Sequence, residues 1–242
     1  MRADQTQLKT RARTVIFDKK NRAVLVSSVM FLLWFAMSWL ETNLSGYYEW
    51  FKSYYDMLYA YNVRGGEWAS IPWPEVKAAS VVLCVLMFSM QAVLRAGYVS
   101  WCMTASRGRD PVIKDIFNGF TSFGRVLLLT ILRGLLIYIG LALLVVPGLL
   151  VLYRYRLSFF VLFDRPELSA VQCMRESAKL TRGHRLEMFM LDTSFLGWWL
   201  MGSVISSFTI PVMDIWLRPY YGLTYAYFYD FVLFQQQPPN NL

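Results

Sequence analysis

The sequence predicts an all-α fold, namely a polytopic membrane helix bundle with about six spans plus interfacial amphipathic helices. Three observations support this fold class: long apolar stretches, few charged residues, and basic loops between the stretches. A helix needs roughly 20 predominantly apolar residues to cross a bilayer. The stretches that meet or approach this length are 23–44, 78–104, 126–146, 149–163, 188–210 and 216–234.

The composition argues against a soluble protein and leaves room for a single integral membrane domain over residues 1–242. Hydrophobic residues make up 56% of the chain and charged residues 17%, whereas soluble domains have about 45–50% and about 25%. The formal net charge is +8. Because the bases lie in loops beside the apolar stretches, the positive-inside rule explains them better than nucleic-acid binding does. We therefore expect membrane lipids, and no nucleic acid, as partners.

Residues 1–22 are predicted to be a basic cytoplasmic tail, since Lys and Arg outnumber Asp and Glu in it. The apolar run that follows is too long for a cleavable signal peptide and lacks a small-residue cleavage site. The first span should therefore be retained and run outward. Residues 235–242 are predicted to be a polar, flexible tail that is also cytoplasmic.

The segment 45–75 is predicted to be an aromatic segment on the outer side. Its charge is mildly acidic, and it is dense in Tyr and Trp. Apolar and aromatic residues from Tyr47 to Leu58 recur at helical spacing, with polar residues between them. Amphipathic rings prefer the membrane interface, so Trp50 and Tyr54 are predicted to be interfacial anchors.

A short amphipathic helix is predicted over 111–120, lying along the inner interface after the second span. Asp110-Pro111 is typical of a helix start, with Asp as the N-cap and Pro at the first position. Ile113, Phe117 and Phe120 are its predicted anchors. Gly119 and Gly124 are expected to end it before the third span.

The apolar run 126–163 is either a hairpin of two spans or one kinked element. A straight helix of this length would far exceed the bilayer, so we favour a hairpin folded at Val146-Pro147-Gly148. Its second arm is short and should be tilted or shielded by neighbours.

A second cytoplasmic amphipathic helix is predicted over about 166–182. Pro166 and Ser169 offer start signals, and Gly183 is a plausible C-cap. Ala170, Cys173, Met174 and Ser177 share one face, opposite a basic face. Since the same order of span, helix and span also occurs near 110–126, a parallel internal repeat remains one alternative.

Charged residues within the spans are the best pointers to a site, because each costs roughly 2.5–3.5 kcal/mol at a helix centre. The candidate ligand- or lipid-binding residues are Arg95, Arg133, Arg154, Arg156 and Asp192. Arg154 and Arg156 are two residues apart and must point in different directions on one helix. The cluster is either a basic pocket for an anion, with Asp192 as counter-charge, or a set of snorkelling side chains with one structural ion pair.

Signals for an enzyme are weak, and we expect neither catalysis nor a cofactor. His184 is the only histidine, and no nucleophile-elbow, zinc-protease or P-loop pattern occurs. The three cysteines form no disulfide framework and no CxxC metal pattern, so no metal site is expected. Helix starting and capping account for Asp164 and Glu167.

A set of short motifs occurs in a characteristic order and spacing along the chain. The motifs are Gly97-Tyr98 with Arg107-Gly108, Ile116-Phe117-Asn118-Gly119-Phe120, Val146-Pro147-Gly148-Leu149, Asp164-Arg165-Pro166, Ser177 with Leu180 and Gly183, Phe195-Leu196-Gly197-Trp198 and Ala226-Tyr227-Phe228-Tyr229. Together they resemble a bacterial integral-membrane family, catalogued as domain of unknown function 975. A fainter likeness links the chain to the membrane domain found beside some glycerophosphodiester phosphodiesterases. The resemblance covers about 90–230 and implies a multi-pass protein of the bacterial cytoplasmic membrane, without any assigned chemistry.

Three functional hypotheses remain at this stage. We favour a non-catalytic membrane protein that binds an anionic lipid or a protein partner, with a homo-oligomer or another membrane protein as the protein partner. The alternative is a transporter or channel component that moves a small anionic or amphipathic substrate. A membrane lipid enzyme comes third, since it would require Asp164, Glu167, His184 or Asp192 to converge on one cleft.

Overall fold

Helices make up almost all of the described part of the protein, and no strand occurs within that part. The computed structural model describes residues 4–18, 22–44, 47–64, 78–208 and 213–236. These observations confirm the all-α fold class. The helices, in chain order, are α1 (Gln5–Phe17), α2 (Ala23–Leu44), α3 (Tyr47–Arg64), α4 (Ala78–Ser106), a 3-10 helix (Ile113–Phe117), α5 (Asn118–Thr121), α6 (Phe123–Leu143), α7 (Val145–Arg154), α8 (Ser158–Asp164), α9 (Ala170–Leu180), α10 (Arg185–Phe208) and α11 (Met213–Gln236).

Five helical segments among the described residues are long and apolar enough to cross a membrane. They are Ala23–Leu44, Val81–Ser106, Phe123–Leu143, Val145–Asp164 and Arg185–Ile205. These match five of the predicted spans. The sixth, 216–234, is helical within α11 but is not among the five. Its apolarity was overestimated, because it is rich in tyrosine and also contains Arg218 and Asp230.

The described chain forms two compact units. One comprises residues 1–31 and 92–242, and the other comprises residues 32–91. The smaller unit contains α3, on which the predicted anchors Trp50 and Tyr54 stack with ring centroids 5.8 Å apart. The rest of the predicted outer segment, 45–46 and 65–75, lies outside the described residues.

Helix α11 is central to the larger unit. It packs against α1, α9 and α10, and buries Leu217, Tyr220 and Phe228 almost completely. Protein rather than lipid therefore covers much of its surface, which explains how a helix with many tyrosines can belong to this bundle.

The apolar run 126–163 is a hairpin, as favoured, but its fold point and second arm differ from the prediction. The chain turns at Leu144, which has extended φ and ψ of −166° and 156°, and α7 packs back against α6. Pro147 lies in the first turn of α7, where a missing amide donor costs nothing. Gly140 permits the close approach, since a Cβ there would lie 2.9 Å from the Gly148 Cα.

The predicted helix 111–120 was wrong in its start and its type. Asp110 does not cap it: the 3-10 helix begins at Ile113, and the Asp115 carboxylate accepts a 2.9 Å hydrogen bond from the Val112 amide. Gly119 does not end a helix but lies within α5, where a Cβ would collide with the Val93 carbonyl. The predicted anchors Phe117 and Phe120 are exposed and their rings stack, while Ile113 is half-buried.

Helix α9 is shorter than the predicted 166–182, because Pro166 does not start it. Ser169 is the N-cap, and the side chain of Gln172 accepts a 2.8 Å hydrogen bond from the Ser169 amide. The predicted apolar face of α9 is confirmed as its buried face. Gly183 has φ of 91°, which suits the tight turn after the helix.

Two of the predicted tails contain packed helix. Within 1–22, α1 packs against α11 and buries Leu8, Ala12 and Ile16. Within 235–242, Gln235 and Gln236 complete α11, and the Gln236 side-chain amide donates to the carbonyls of Lys179 and Leu180. Residues 1–3, 19–21 and 237–242 lie outside the described residues.

Candidate functional site

The second arm of the hairpin is a broken helix. α7 ends at Arg154 and α8 begins at Ser158, so the carbonyl of Arg154 leaves the helical hydrogen-bond ladder. Two hydroxyls replace the missing donor: Ser177 Oγ of α9 at 3.1 Å and Oγ1 of Thr181, the C-cap of α9, at 3.2 Å. Backbone polar groups at membrane depth need such partners, so α9 stabilises the break.

The break sends the two neighbouring arginines to different environments. The Arg154 side chain is exposed and lies over the ring of Tyr155. The Arg156 guanidinium lies over the rings of Tyr221 and Tyr225, 5.5 and 4.9 Å from their centroids. One arginine therefore faces outward, and the other enters the aromatic interior of the bundle.

Asp192 on α10 is the centre of a cluster that joins three elements. Its carboxylate accepts hydrogen bonds from the hydroxyls of Tyr153 at 3.1 Å, Tyr221 at 2.7 Å and Tyr225 at 2.6 Å. Arg156 Nη2 lies 3.6 Å from Asp192 Oδ1. We call these five residues the Asp192 cluster. It satisfies a carboxylate that would otherwise be costly within a span.

Arg133 on α6 adds a second positive charge beside the Asp192 cluster. Its guanidinium lies 5.6 Å from the centroid of the Phe159 ring and is close enough to Arg156 for the two like charges to interact. No acidic side chain pairs with Arg133 among the described residues. Two guanidinium groups thus accompany one carboxylate, and the region has an excess positive charge.

Tyrosines on α11 form a stripe that connects Asp192 with a second carboxylate. Tyr221, Tyr225 and Tyr229 follow each other at four-residue spacing, which places them on one helix face. Tyr229 donates a 2.9 Å hydrogen bond to Asp164 at the end of α8 and stacks on Phe160. The stripe therefore extends from the interior of the bundle to Asp164, where the span Val145–Asp164 ends.

Arg107 connects the ends of two spans, at Ser106 and at Asp164, with α11. Its Nη1 lies 2.7 Å from Asp164 Oδ1 and its Nη2 lies 2.8 Å from Asp230 Oδ1, while the Ser106 hydroxyl lies 3.3 Å from Asp230 Oδ2. Burial lowers the pKa of Arg107, but the hydrogen bonds that its guanidinium donates to Asp230 and Asp164 outweigh burial and raise the pKa above its ordinary value. The guanidinium therefore stays charged and joins the ends of α4 and α8 to α11.

The structure brings together only part of the predicted site. Arg133, Arg156 and Asp192 lie in one region, whereas Arg154 points away from it. Arg95 does not join this region: its charge interacts with that of Arg218 on α11. Arg218 in turn pairs with Asp214 at 2.9 Å. No group of three or more His, Cys, Asp or Glu side chains within the described ranges is placed to hold a metal ion.

Sequence reasoning missed Arg107, Asp230 and the tyrosines that donate to Asp192. It also attributed Asp164 to helix capping, although this residue pairs with Arg107. The one available signal was the four-residue spacing of tyrosines on α11, which indicated a helix face but no partner.

Comparison with models of known protein families gives a match over the C-terminal part of the chain. Residues 135–236 match the model of a family described as Protein of unknown function (DUF975). No curated protein and no solved structure matches the chain, and the fainter likeness to the phosphodiesterase membrane domain is not shown. The matched stretch contains Asp164, Asp192 and the tyrosine stripe, but not Arg107 or Arg133. Over residues 135–236 this chain therefore has the sequence pattern of the family of unknown function DUF975, as its motifs indicated.

Proposed function

We propose that this chain is a non-catalytic multi-pass membrane protein that binds the phosphate group of an anionic lipid between Arg133 and Arg156. The observation that carries the proposal is the unpaired charge of Arg133. This residue lies ten residues into α6, which is about 15 Å from the helix start and near the middle of a bilayer about 30 Å thick. A lone arginine there is costly, and a bound anion would remove much of the cost.

The donors at the two arginines suit a phosphate. A guanidinium has five N–H donors in a planar fork, and phosphate oxygens accept them in pairs. No hydrogen bond to an acceptor is made by Arg133 within the described ranges, and Arg156 approaches Asp192 only at 3.6 Å. Both groups therefore keep donors for a ligand, while the tyrosines hold Asp192 away from it.

Lipid is the favoured source of the phosphate because the hairpin presents an apolar surface. Leu135, Ile139, Val145 and Val146 are among its exposed side chains. Acyl chains would cover this surface, and the half-buried Arg133 side chain would be reached from the side.

The test is native mass spectrometry of the protein released from nanodiscs that contain phosphatidylglycerol. The wild type should retain an anionic lipid in stoichiometric amount, and Arg133→Gln should lose it by roughly tenfold or more. Arg154→Gln is the matched control, because Arg154 lies on the same arm but is exposed. Equal retention by the wild type and Arg133→Gln would overturn the proposal. Loss of the lipid in both variants would also contradict it, because overall positive charge, and not a site at Arg133, would then retain the lipid.

A transporter is the second candidate, and the broken helix α7–α8 is the observation that favours it. Discontinuous helices near the middle of the membrane bind substrates in many transporters. If the protein moved anions, liposomes containing it would release phosphate or chloride in a manner that requires Arg133. We expect no such release above that of empty liposomes.

We further propose that the protein lies in the bacterial cytoplasmic membrane with both termini in the cytoplasm. Arg107, Arg109 and Lys114 support this, since bases concentrate on the cytoplasmic side. A cysteine placed at residue 5 should react only with membrane-permeant reagents in intact cells. Rapid labelling by an impermeant reagent would reverse the assignment.

A further inference from the structure

A cavity between α1 and α11 is separate from the Asp192 cluster and has its own chemistry. Its volume is about 520 Å³, within the range of about 300–1,000 Å³ that small-molecule sites occupy. It is bounded by Asp4, the N-cap of α1, by Arg11 of α1, and by Tyr227, Asp230, Phe231 and Phe234 of α11.

The packing of α1 against α11 creates this cavity. Lys9 lies 4.6 Å from the centroid of the buried Phe195 ring, and Arg13 lies 5.4 Å from that of Tyr220. The apolar residues of α1 face α11. The side chains of Lys9 and Arg13 contact aromatic rings of α10 and α11, respectively. Burial and the nearby charge of Arg13 lower the pKa of Lys9, in keeping with its aromatic surroundings.

The cavity contains charges of both signs. Arg11 pairs with no acidic side chain in the described part of the chain, although its charge acts on Tyr227. Asp4 Oδ1 accepts a 3.0 Å hydrogen bond from the Thr6 amide, and its other oxygen makes no hydrogen bond in the described structure. Asp230 already binds Arg107 and Ser106. A ligand with one anionic and one cationic group would therefore use Arg11 and Asp4.

The position of the cavity near the ends of two spans suits a lipid headgroup. Asp230 borders the cavity and pairs with Arg107. Arg107 directly follows Ser106, where one span ends. A second span ends at Asp164, which pairs with the same arginine. Polar and charged residues thus replace apolar ones at this level. Phe234, which is 65% exposed, supplies an apolar rim for the part of the ligand next to the headgroup.

We propose that this cavity binds a phosphoethanolamine group, with the phosphate on Arg11 and the ammonium on Asp4. A primary ammonium has N–H donors for a carboxylate, whereas a choline headgroup has none. A phosphatidylglycerol headgroup has no cation at all. The cavity should therefore prefer phosphatidylethanolamine to both of these lipids, and this proposal is independent of the Arg133 site.

The experiment measures lipid retention by native mass spectrometry from nanodiscs of phosphatidylcholine with one tenth of either phosphatidylethanolamine or phosphatidylglycerol. Asp4→Asn removes the negative charge but keeps a residue that caps the helix equally well. We expect this variant to lose phosphatidylethanolamine by roughly tenfold, and Arg11→Gln to lose at least as much. Arg109→Gln removes an exposed base that does not border the cavity, and this variant should retain the lipid.

A second arm distinguishes a lipid from a soluble ligand. Millimolar glycerophosphoethanolamine that displaces the lipid from both the wild type and Arg133→Gln, which keeps the cavity beside α1, would support the headgroup site and identify the headgroup as sufficient. Failure to displace it, with both α1 variants still impaired, would support a site that also needs the acyl chains. Equal retention of all three lipids by Arg133→Gln, which lacks the other proposed site, or unchanged retention of phosphatidylethanolamine in Asp4→Asn and Arg11→Gln, would overturn the proposal.

Discussion

Tyr225 donates a 2.6 Å hydrogen bond to Asp192, across the interface between α11 and α10. One helical turn further along α11, Tyr229 makes the corresponding bond to Asp164 at 2.9 Å. A single helix face thus satisfies two carboxylates from two other helices. This arrangement gives a physical reason for a tyrosine-rich helix at the centre of the unit: phenol rings fill space as apolar groups do, while their hydroxyls bind charge.

Removal of the Asp192 charge should destabilise the protein. Asp192→Leu leaves Arg156 without its carboxylate and three tyrosine hydroxyls without their acceptor. Because each partner of the ion pair is about a fifth exposed, we expect a loss of about 2–4 kcal/mol, below the upper range for fully buried pairs. Thermal unfolding in detergent would measure this. Asp56→Asn on the exposed surface of α3 is the control and should be neutral; equal melting temperatures for both variants would contradict the role of the cluster.

Arg107→Gln should loosen the junction of α4, α8 and α11. Two carboxylates would lose their shared cation, and because this network is partly exposed to solvent, the expected cost is about 0.5–1.5 kcal/mol. Arg107→Lys should not restore stability fully, since one ammonium lacks the planar fork that reaches both partners. Arg109→Gln, two residues away and exposed, should have little effect in the same melting experiment.

The contribution of Arg107 should not vary across the basic pH range. Its folded-state pKa is raised, so the stabilisation is complete below the ordinary arginine pKa and is lost only as the pH rises through the higher, folded value. The difference in melting temperature between the wild type and Arg107→Gln should therefore stay constant from about pH 7 to about pH 10. A difference that vanished within this range would mean that another group supplies the effect.

The hairpin shows how far the sequence could predict this fold. Length and apolarity were enough to require two spans between 126 and 163, and that prediction is confirmed. The fold point was placed at Pro147 because proline interrupts helices. In the first turn of a helix, however, proline loses no hydrogen bond, and the chain turns at Leu144 instead.

The candidate site could be predicted only in part, because its partners are distant in sequence. Arg107 and Asp164 are separated by 57 positions, and nothing near either residue indicates the other. Charge within a span pointed to Arg133, Arg156 and Asp192 without any knowledge of packing. Arg107 directly follows α4, where charge is common, and Asp230 lies among the tyrosines of α11, so the sequence assigned neither residue a partner.

Gly97→Ala should disrupt the contact between α4 and the segment that follows it. A Cβ at Gly97 would occupy the position of the Ile116 carbonyl oxygen, which belongs to the backbone and cannot rotate away. We expect a loss of about 1–3 kcal/mol or more. Gly134→Ala is the matched control within α6, where a Cβ would meet nothing within 4 Å; it should be neutral or stabilise the protein by up to about 1 kcal/mol. Similar effects of both substitutions would show that general helix propensity, and not this contact, decides the outcome.

The hydroxyls of Ser177 and Thr181 should be needed for the broken helix. The double variant Ser177→Ala, Thr181→Val keeps the shape of α9 but removes both donors to the Arg154 carbonyl. An unpaired carbonyl at this depth should cost about 1–3 kcal/mol. The loss should also be local, so amide hydrogen exchange measured by mass spectrometry should accelerate in 155–160 and in α9 before it does in α10.

Thr193→Val on α10 is the control, because that hydroxyl is exposed and bonds only to the Phe189 carbonyl of its own helix. Unchanged exchange in the double variant would mean that another donor, such as water, satisfies the Arg154 carbonyl and that α9 does not hold the break.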